Sequence, residues 1–346
     1  MEFIKPKRLR PGDTVAVLSP SWGGPSRYPH VFDLGLEKLR ERFGLNIKEF
    51  PTARMDADEV YRNPQVRAED INTAFADPSV AGIITSIGGD DSVRILPYLS
   101  LDVILANPKV FTGYSDTTAI NLYLNSKGLV TYNGPSVMAG YAQFAHLPAS
   151  ACDFVRGVLF GDERSYLPSS LWTDRYVEWT TPGYSGEVEP LRPKEGWRVV
   201  QGQGAVEGRL VGGCIEVFEF LKGTPFWPSP DYFRDAILFF ETSEEKPTVD
   251  NVKYMLRNYG SMGVLEHVRA LLLGRARSYT DLEKAELEYV AARVVGLEFG
   301  RKDMPILANM DFGHTDPQWV LPLGVRARVD CGKPSFTLLE SATNPA

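Results

Sequence analysis

Cysteine, histidine and long apolar runs are all scarce in this chain of 346 residues, and each scarcity narrows what the protein can be. Its three cysteines, Cys152, Cys214 and Cys331, lie far apart, form no C-x-x-C pair and are odd in number, which argues against a disulfide framework. Buried thiols in a reducing compartment are the expectation. Its four histidines, His30, His146, His267 and His314, show neither H-x-x-x-H nor H-E-x-x-H spacing, so no metal is expected. No run of about 18 apolar residues is present, so no segment is expected to span a membrane. The charged stretch Glu2-Phe3-Ile4-Lys5-Pro6-Lys7-Arg8, followed by Gly12-Asp13, leaves no room for a secretory core. The expected location is the cytoplasm. Positive charge is in deficit: 37 Lys and Arg against 44 Asp and Glu give a net charge of -7. Nothing electrostatic favours a nucleic acid polymer or an anionic membrane as partner.

What the chain does have is alternation. Buried-strand runs at Thr14-Val15-Ala16-Val17-Leu18, Ala81-Gly82-Ile83-Ile84-Thr85, Val110-Phe111 and Val130-Thr131-Tyr132 take turns with amphipathic helical spacing at 30–43, 67–75 and 117–125. This pattern predicts an α/β fold whose N-terminal domain, 1–164, holds a mostly parallel sheet with helices on both faces. A Pro- and Gly-rich connection, 165–204, breaks the alternation and carries Trp172, Trp179 and Trp197. Strands at Ala236-Ile237-Leu238-Phe239-Phe240 and Arg269-Ala270-Leu271-Leu272-Leu273, with a closing hairpin over 325–339, predict a second, smaller mixed-sheet domain over 205–346. A length beyond what one core supports fits two domains.

Ligands of parallel sheets bind beyond the carboxyl ends of the strands, and candidate chemistry gathers at that edge. Gly113-Tyr114-Ser115-Asp116-Thr117-Thr118 places Ser115 on a sharp strand-to-helix turn, where a hydroxyl is exposed and the next backbone N–H can meet an oxyanion. Ser115 or Asp116 could equally be a helix N-cap. A serine nucleophile needs a base, and His314 follows the Pro305-Ile306-Leu307 strand at the correct end, whereas His267 precedes a strand. Glu241 terminates its own buried strand and can orient an imidazole; it could also simply open a polar turn, and Asp116 competes for the acid role. The Gly88-Gly89 turn can bring backbone N–H groups close to a ligand but matches no phosphate loop, so no nucleotide cofactor is indicated.

Taken in order, these segments resemble the LD-carboxypeptidase family of serine peptidases. The likeness runs through Arg10-Pro11-Gly12-Asp13-Thr14-Val15-Ala16-Val17, Ile87-Gly88-Gly89-Asp90-Asp91-Ser92, Gly113 to Thr118, Gly208-Arg209-Leu210-Val211-Gly212-Gly213, Phe240-Glu241-Thr242-Ser243 and Phe312-Gly313-His314. The resemblance implies a triad of Ser115, Glu241 and His314, oxyanion donors at the N–H groups of Gly89 and Asp116, two domains, no cofactor and a homodimer. Ile87 before Gly88-Gly89, where recycling enzymes tend to carry arginine, makes the chain similar to the microcin C immunity branch. Cys214 after Gly212-Gly213 departs from the family's usual asparagine.

The expected activity is hydrolysis of an amide in a small peptide or aminoacyl-nucleotide conjugate. Peptidoglycan-recycling LD-carboxypeptidase activity, an α/β-hydrolase esterase and a binding protein without turnover are the alternatives. The esterase fold usually has G-x-S-x-G, and Thr117 stands at the last glycine. The three tryptophans fit no helix or strand periodicity; they either pack the seam between domains or include a stacking platform for a base.

Overall fold

The computed structural model describes residues 2–193 and 195–345, so Met1, Lys194 and Ala346 lie outside it. In the first half, β1 (Thr14–Leu18), β2 (Asn46–Glu49), β3 (Gly82–Thr85), β4 (Val110–Gly113) and β5 (Thr131–Asn133) alternate with helices. They pair in the order β5-β4-β3-β1-β2, all parallel. β1, β3 and β4 are neighbours, so the loops that leave their carboxyl ends meet: Ser19 to Trp22, Ser86 to Ser92, and Tyr114 to Thr117. β3 and β4 are buried at every position, the mark of strands covered on both faces. The segment that follows the Gly88-Gly89 loop is not an α-helix but a 3-10 segment, Ser92–Tyr98, with Pro97 inside it. Proline lacks the N–H that an α-helical interior needs.

The span from 165 to 204 contains more regular structure than its composition suggests. β6 (Ser165–Tyr166), the short antiparallel pair β7 (Leu171–Trp172) and β8 (Arg192–Pro193), and β9 (Arg198–Gln201) all fall within it. Pairing with distant strands, which no local pattern reveals, supplies their hydrogen bonds. They are followed by β10 (Ala205–Cys214), β11 (Ala236–Glu241), β12 (Ala270–Gly274), β13 (Ile306–Met310), β14 (Leu321–Leu323), β15 (Arg326–Asp330) and β16 (Ser335–Leu338). The second sheet has eight strands in the order β6-β16-β15-β10-β11-β12-β13-β9. Its centre, β10 to β13, is parallel, and its flanks are antiparallel.

One strand belongs to the other sheet. β14 pairs antiparallel with β5, Leu321 opposite Asn133 and Leu323 opposite Thr131, and so closes an edge of the N-terminal sheet. The segment between β13 and β14 therefore leaves the second sheet and ends in the first. It is held along its way by Trp319 N–H to Asp311 O at 2.7 Å and by Tyr166 Oη–H to Val320 O at 2.7 Å. At the seam, Thr118 Oγ1 accepts from Cys214 N–H at 3.1 Å, and Tyr232 Oη–H donates to Asn125 Oδ1 at 2.6 Å. Cys152, Cys214 and Cys331 are all buried and unpaired. Among the described residues, no helix is long and apolar enough to cross a membrane.

Candidate active site

Ser115 occupies the left-handed region, with φ of 57°, immediately after β4. A side chain other than Gly, Asn or Asp adopts that conformation at a cost of roughly 1–2 kcal/mol, and here the cost is borne directly beneath the hydroxyl. The surrounding packing holds the turn in place. Gly88 lies so close that a Cβ built on it would come within 2.8 Å of Ser115 Oγ and 3.3 Å of the Asp116 nitrogen. The Gly88-Gly89 loop and the serine turn thus share one small space at the sheet's edge.

Asp116 does not cap the helix that follows. Its carboxylate accepts from Ser21 Oγ–H at 2.5 Å and from Ser92 N–H at 2.7 Å, and its carbonyl accepts from Ser92 Oγ–H at 2.7 Å. These bonds join the loops after β1 and β3 to the serine turn. Complete burial pushes the Asp116 carboxyl up, while Ser21 and Ser92 pull it down. Arg67, fully buried, braces the same loops through Asp91, with Nη1 to Oδ1 at 2.7 Å, and through the carbonyls of Pro20 and Ser21.

His314 and Glu241 come together at the opposite wall. His314 Nδ1 lies 2.6 Å from Glu241 Oε2, both side chains buried. Gly313, with φ of 97°, allows the approach: a Cβ there would fall 2.7 Å from Glu241 Oε2. The other imidazole nitrogen, Nε2, lies 3.0 Å from Glu244 Oε2 but is not aligned for a hydrogen bond. The Tyr114 ring packs on the imidazole at a centroid distance of 4.8 Å, and Tyr114 Oη is 3.1 Å from Tyr176 Oη. Burial by itself would lower the imidazole pKa; Glu241 and then Glu244 outweigh it and raise it to about 10. Asp316, buried on the same loop, is pushed up to about 7 by desolvation, against the pull of Arg277 and His314.

Ser115 and His314 line one cavity of about 240 Å³. Gly88 and Gly89 form its floor beside the serine, and Trp22, Tyr28, Tyr176 and Trp179 supply aromatic walls. Glu178, Glu244 and Arg277 add charge of both signs. The Arg277 guanidinium stacks 3.9 Å from the centroid of Tyr176. Of the three tryptophans singled out from the sequence, only Trp179 reaches this cavity, its ring edge-on to Tyr28 at 5.4 Å. Trp172 is fully buried elsewhere, between the guanidinium groups of Arg192 and Arg275 at 4.4 and 4.6 Å. Trp197 donates Nε1–H to Asp311 Oδ2 at 2.9 Å, and Asp311 is in turn ion-paired with buried Arg275 at 2.7 Å. Both anchor the connecting span to the second sheet.

Sequence reasoning missed Trp22, Tyr28, Tyr176, Glu178, Glu244 and Arg277. Their loops lack periodicity, and charged or aromatic residues in turns are usually solvated. The Glu241-Thr242-Ser243-Glu244-Glu245 turn did carry a signal, an excess of carboxylates directly after a buried strand.

Comparison with known proteins bears on this geometry. The family profile described as LD-carboxypeptidase N-terminal domain matches residues 15–134, and the one described as LD-carboxypeptidase C-terminal domain matches 207–329. The Microcin C7 self-immunity protein MccF of Escherichia coli is 28% identical over 342 residues, which is 96% of this chain and 94% of that protein. The "Probable murein peptide carboxypeptidase" of Bacillus subtilis (strain 168) is 27% identical over 330 residues, 94% of this chain and 91% of that protein. The solved structure of MccF in complex with aspartyl sulfamoyl adenosine superposes with a TM-score of 0.84 at 26% identity, covering 99% of this chain and 100% of that one.

Proposed function

Because the chain belongs to the LD-carboxypeptidase family of serine peptidases, we propose that it hydrolyses an amide in a small peptide or aminoacyl-nucleotide conjugate with Ser115, His314 and Glu241 as its triad. The observation that carries this reading is the 2.6 Å contact of His314 Nδ1 with buried Glu241, on the wall of the cavity that Ser115 also lines. Ser115 Oγ attacks the carbonyl carbon while His314 Nε2 takes its proton. His314 then returns that proton to the leaving nitrogen, and water repeats the sequence on the acyl-enzyme. Glu241 orients the ring and stabilises its cation. The N–H groups of Gly89 and Asp116 hold the oxyanion; the strained serine turn and the close packing of Gly88 on it support that assignment.

The aromatic wall favours an aminoacyl-nucleotide conjugate. Trp179, Tyr28 and Trp22 offer π-faces of the kind on which a base stacks, and the similar MccF structure holds an aminoacyl sulfamoyl adenosine. Arg277 offers a cation to a phosphoryl group or a terminal carboxylate. Hydrolysis of peptidoglycan peptides is the second reading, supported by the murein peptide carboxypeptidase relative. The proposal includes a cytoplasmic homodimer, which cell fractionation and analytical ultracentrifugation would check.

Mass-spectrometric turnover with two pools separates the two substrate readings. One pool holds muropeptides with LD linkages, the other sulfamoyl and phosphoramidate aminoacyl adenylates. We expect cleavage in the second pool and none by Ser115→Ala. A Ser115→Ala enzyme that keeps near-normal turnover would overturn the triad.

A further inference from the structure

Glu244 stands where it can decide whether the base is free. His314 presents two nitrogens: Nδ1 meets Glu241 at 2.6 Å, and Nε2 faces Glu244 at 3.0 Å without hydrogen-bond alignment. The nitrogen that must accept the serine proton, Nε2, is the one facing Glu244. The two carboxylates differ in setting. Glu241 is fully buried at the end of β11, whereas the Glu244 side chain is 51% exposed and lies on the cavity wall. Its turn is well anchored: Ser243 N–H and Oγ–H donate to Glu216 Oε1 at 2.9 and 2.6 Å, and Lys246 pairs with Glu283 at 2.9 Å. The backbone is therefore fixed while the Glu244 carboxylate can reorient into the cavity. An ammonium that entered the cavity could form a charge-assisted hydrogen bond with this carboxylate.

We propose that Glu244 is a specificity-determining residue: it receives a free ammonium carried within a bond or two of the scissile carbonyl, and before substrate arrives its carboxylate stands against the His314 nitrogen that catalysis needs. The proposal rests on the triad assignment above and narrows its substrate class to aminoacyl conjugates, whose α-ammonium lies at that distance. In a muropeptide the corresponding nitrogen is acylated and carries no charge.

The sequence of events balances. Two carboxylates beside the ring, at 2.6 and 3.0 Å, favour the imidazolium, which has no lone pair with which to take the serine proton. An incoming ammonium pairs with Glu244, drawing it away from Nε2, and Nε2 releases its proton to solvent. Neutral His314 then accepts the Ser115 proton as Oγ bonds to the carbonyl carbon, and later gives it to the departing nitrogen. The substrate shifts the equilibrium through its own differential interaction with the two positions of Glu244. The other charged or titratable groups around the ring are Tyr114 from the serine turn, Asp316 from the same loop as His314, and Arg277 from the segment after β12. Tyr176 from the connecting span completes the set. Arg277, the cation among these groups, also attracts Glu244.

The test uses Ser115→Ala and Ser115→Ala/Glu244→Gln protein, so that binding and titration are read without turnover. Calorimetry compares a phosphoramidate aminoacyl adenylate with its isosteric α-hydroxyacyl analogue. We expect the ammonium compound to bind Ser115→Ala about tenfold more tightly than the hydroxyl compound, and that preference to shrink to about twofold or less with Gln at 244. In parallel, NMR titration of His314 in the ligand-free proteins should show its pKa lower by about one unit or more in the double variant. Equal binding of the two compounds to Ser115→Ala, a preference that survives Glu244→Gln, or an unmoved His314 titration each overturns the proposal. Turnover by Ser115→Ala would instead remove the triad beneath it, so the two failures are distinguishable.

Discussion

Gly88 and Ser115 are packed so tightly that a methyl group on the glycine would lie 2.7 Å from the serine Cβ. The contact couples the loop after β3 to the turn after β4, and it leaves no room for any other residue. Replacing Gly88 with alanine must push either the loop or the serine away. Displacements near 1 Å at a reacting centre cost about a hundredfold in rate. Gly88→Ala is therefore expected to lower kcat by about two orders of magnitude with only a modest fall in Tm. Unchanged kcat with normal folding would show that the loop is free to give way.

The strained backbone at Ser115 makes a second prediction, with opposite signs for stability and activity. Glycine tolerates a φ of 57° without steric cost but loses more chain entropy on folding. The balance favours Ser115→Gly by about 0.5–1 kcal/mol in chemical denaturation, while activity is abolished. A variant less stable than the parent would mean that the left-handed turn carries little strain.

The raised pKa of His314 predicts an alkaline pH dependence. Acting as a base requires the neutral ring, so kcat/KM, which reports the free enzyme, should climb well above pH 7 toward the folded-state value of about 10. Linkage runs the other way. A histidine whose pKa is raised on folding contributes stability that is complete below its ordinary value near 6.5 and is lost as the pH rises through about 10. Denaturation midpoints of wild type and His314→Gln should therefore converge as the pH is raised from 6 to 10. A kcat/KM profile flat above pH 7 would contradict the shift.

The tryptophans divide into two kinds with separable phenotypes. Trp179→Ala, on the cavity wall, should raise KM for an aminoacyl adenylate about tenfold or more and leave Tm nearly unchanged, in line with the loss of one base-stacking contact. Trp172→Ala should destabilise by about 3–5 kcal/mol, as expected for removing a fully buried large aromatic, and alter both substrate pools alike. Identical effects of the two variants would dissolve the distinction.

How far the sequence reveals this molecule depends on where its information is local. The run Ala236 to Phe240 announces a buried strand by itself, and Glu241 at its end then has a defined place. His314 could be selected among four because the others sit at wrong positions relative to strands. The transfer of β14 into the first sheet was not legible, because Leu321-Pro322-Leu323 carries no mark of which partner it will meet. Trp172 and Trp179 look alike in sequence: what separates them is Arg275, a hundred residues away in the chain and 4.6 Å away in space. Glu244 and Arg277 escaped notice for the same reason, since a charged residue in a turn declares itself only when the wall opposite is known.

The strand that changes sheets has a mechanical consequence. A two-lobed enzyme often opens like a jaw, but here the segment bearing His314 is stitched to β5 through β14 just beyond the active site. Swinging the lobes apart would have to unzip that ladder and drag the histidine with it. The span between β7 and β8, whose Tyr176, Glu178 and Trp179 line the cavity, is tied into the same frame, by Thr173 N–H to Asp316 O at 2.8 Å on the His314 loop and by Tyr176 Oη 3.1 Å from Tyr114 Oη beside the serine turn.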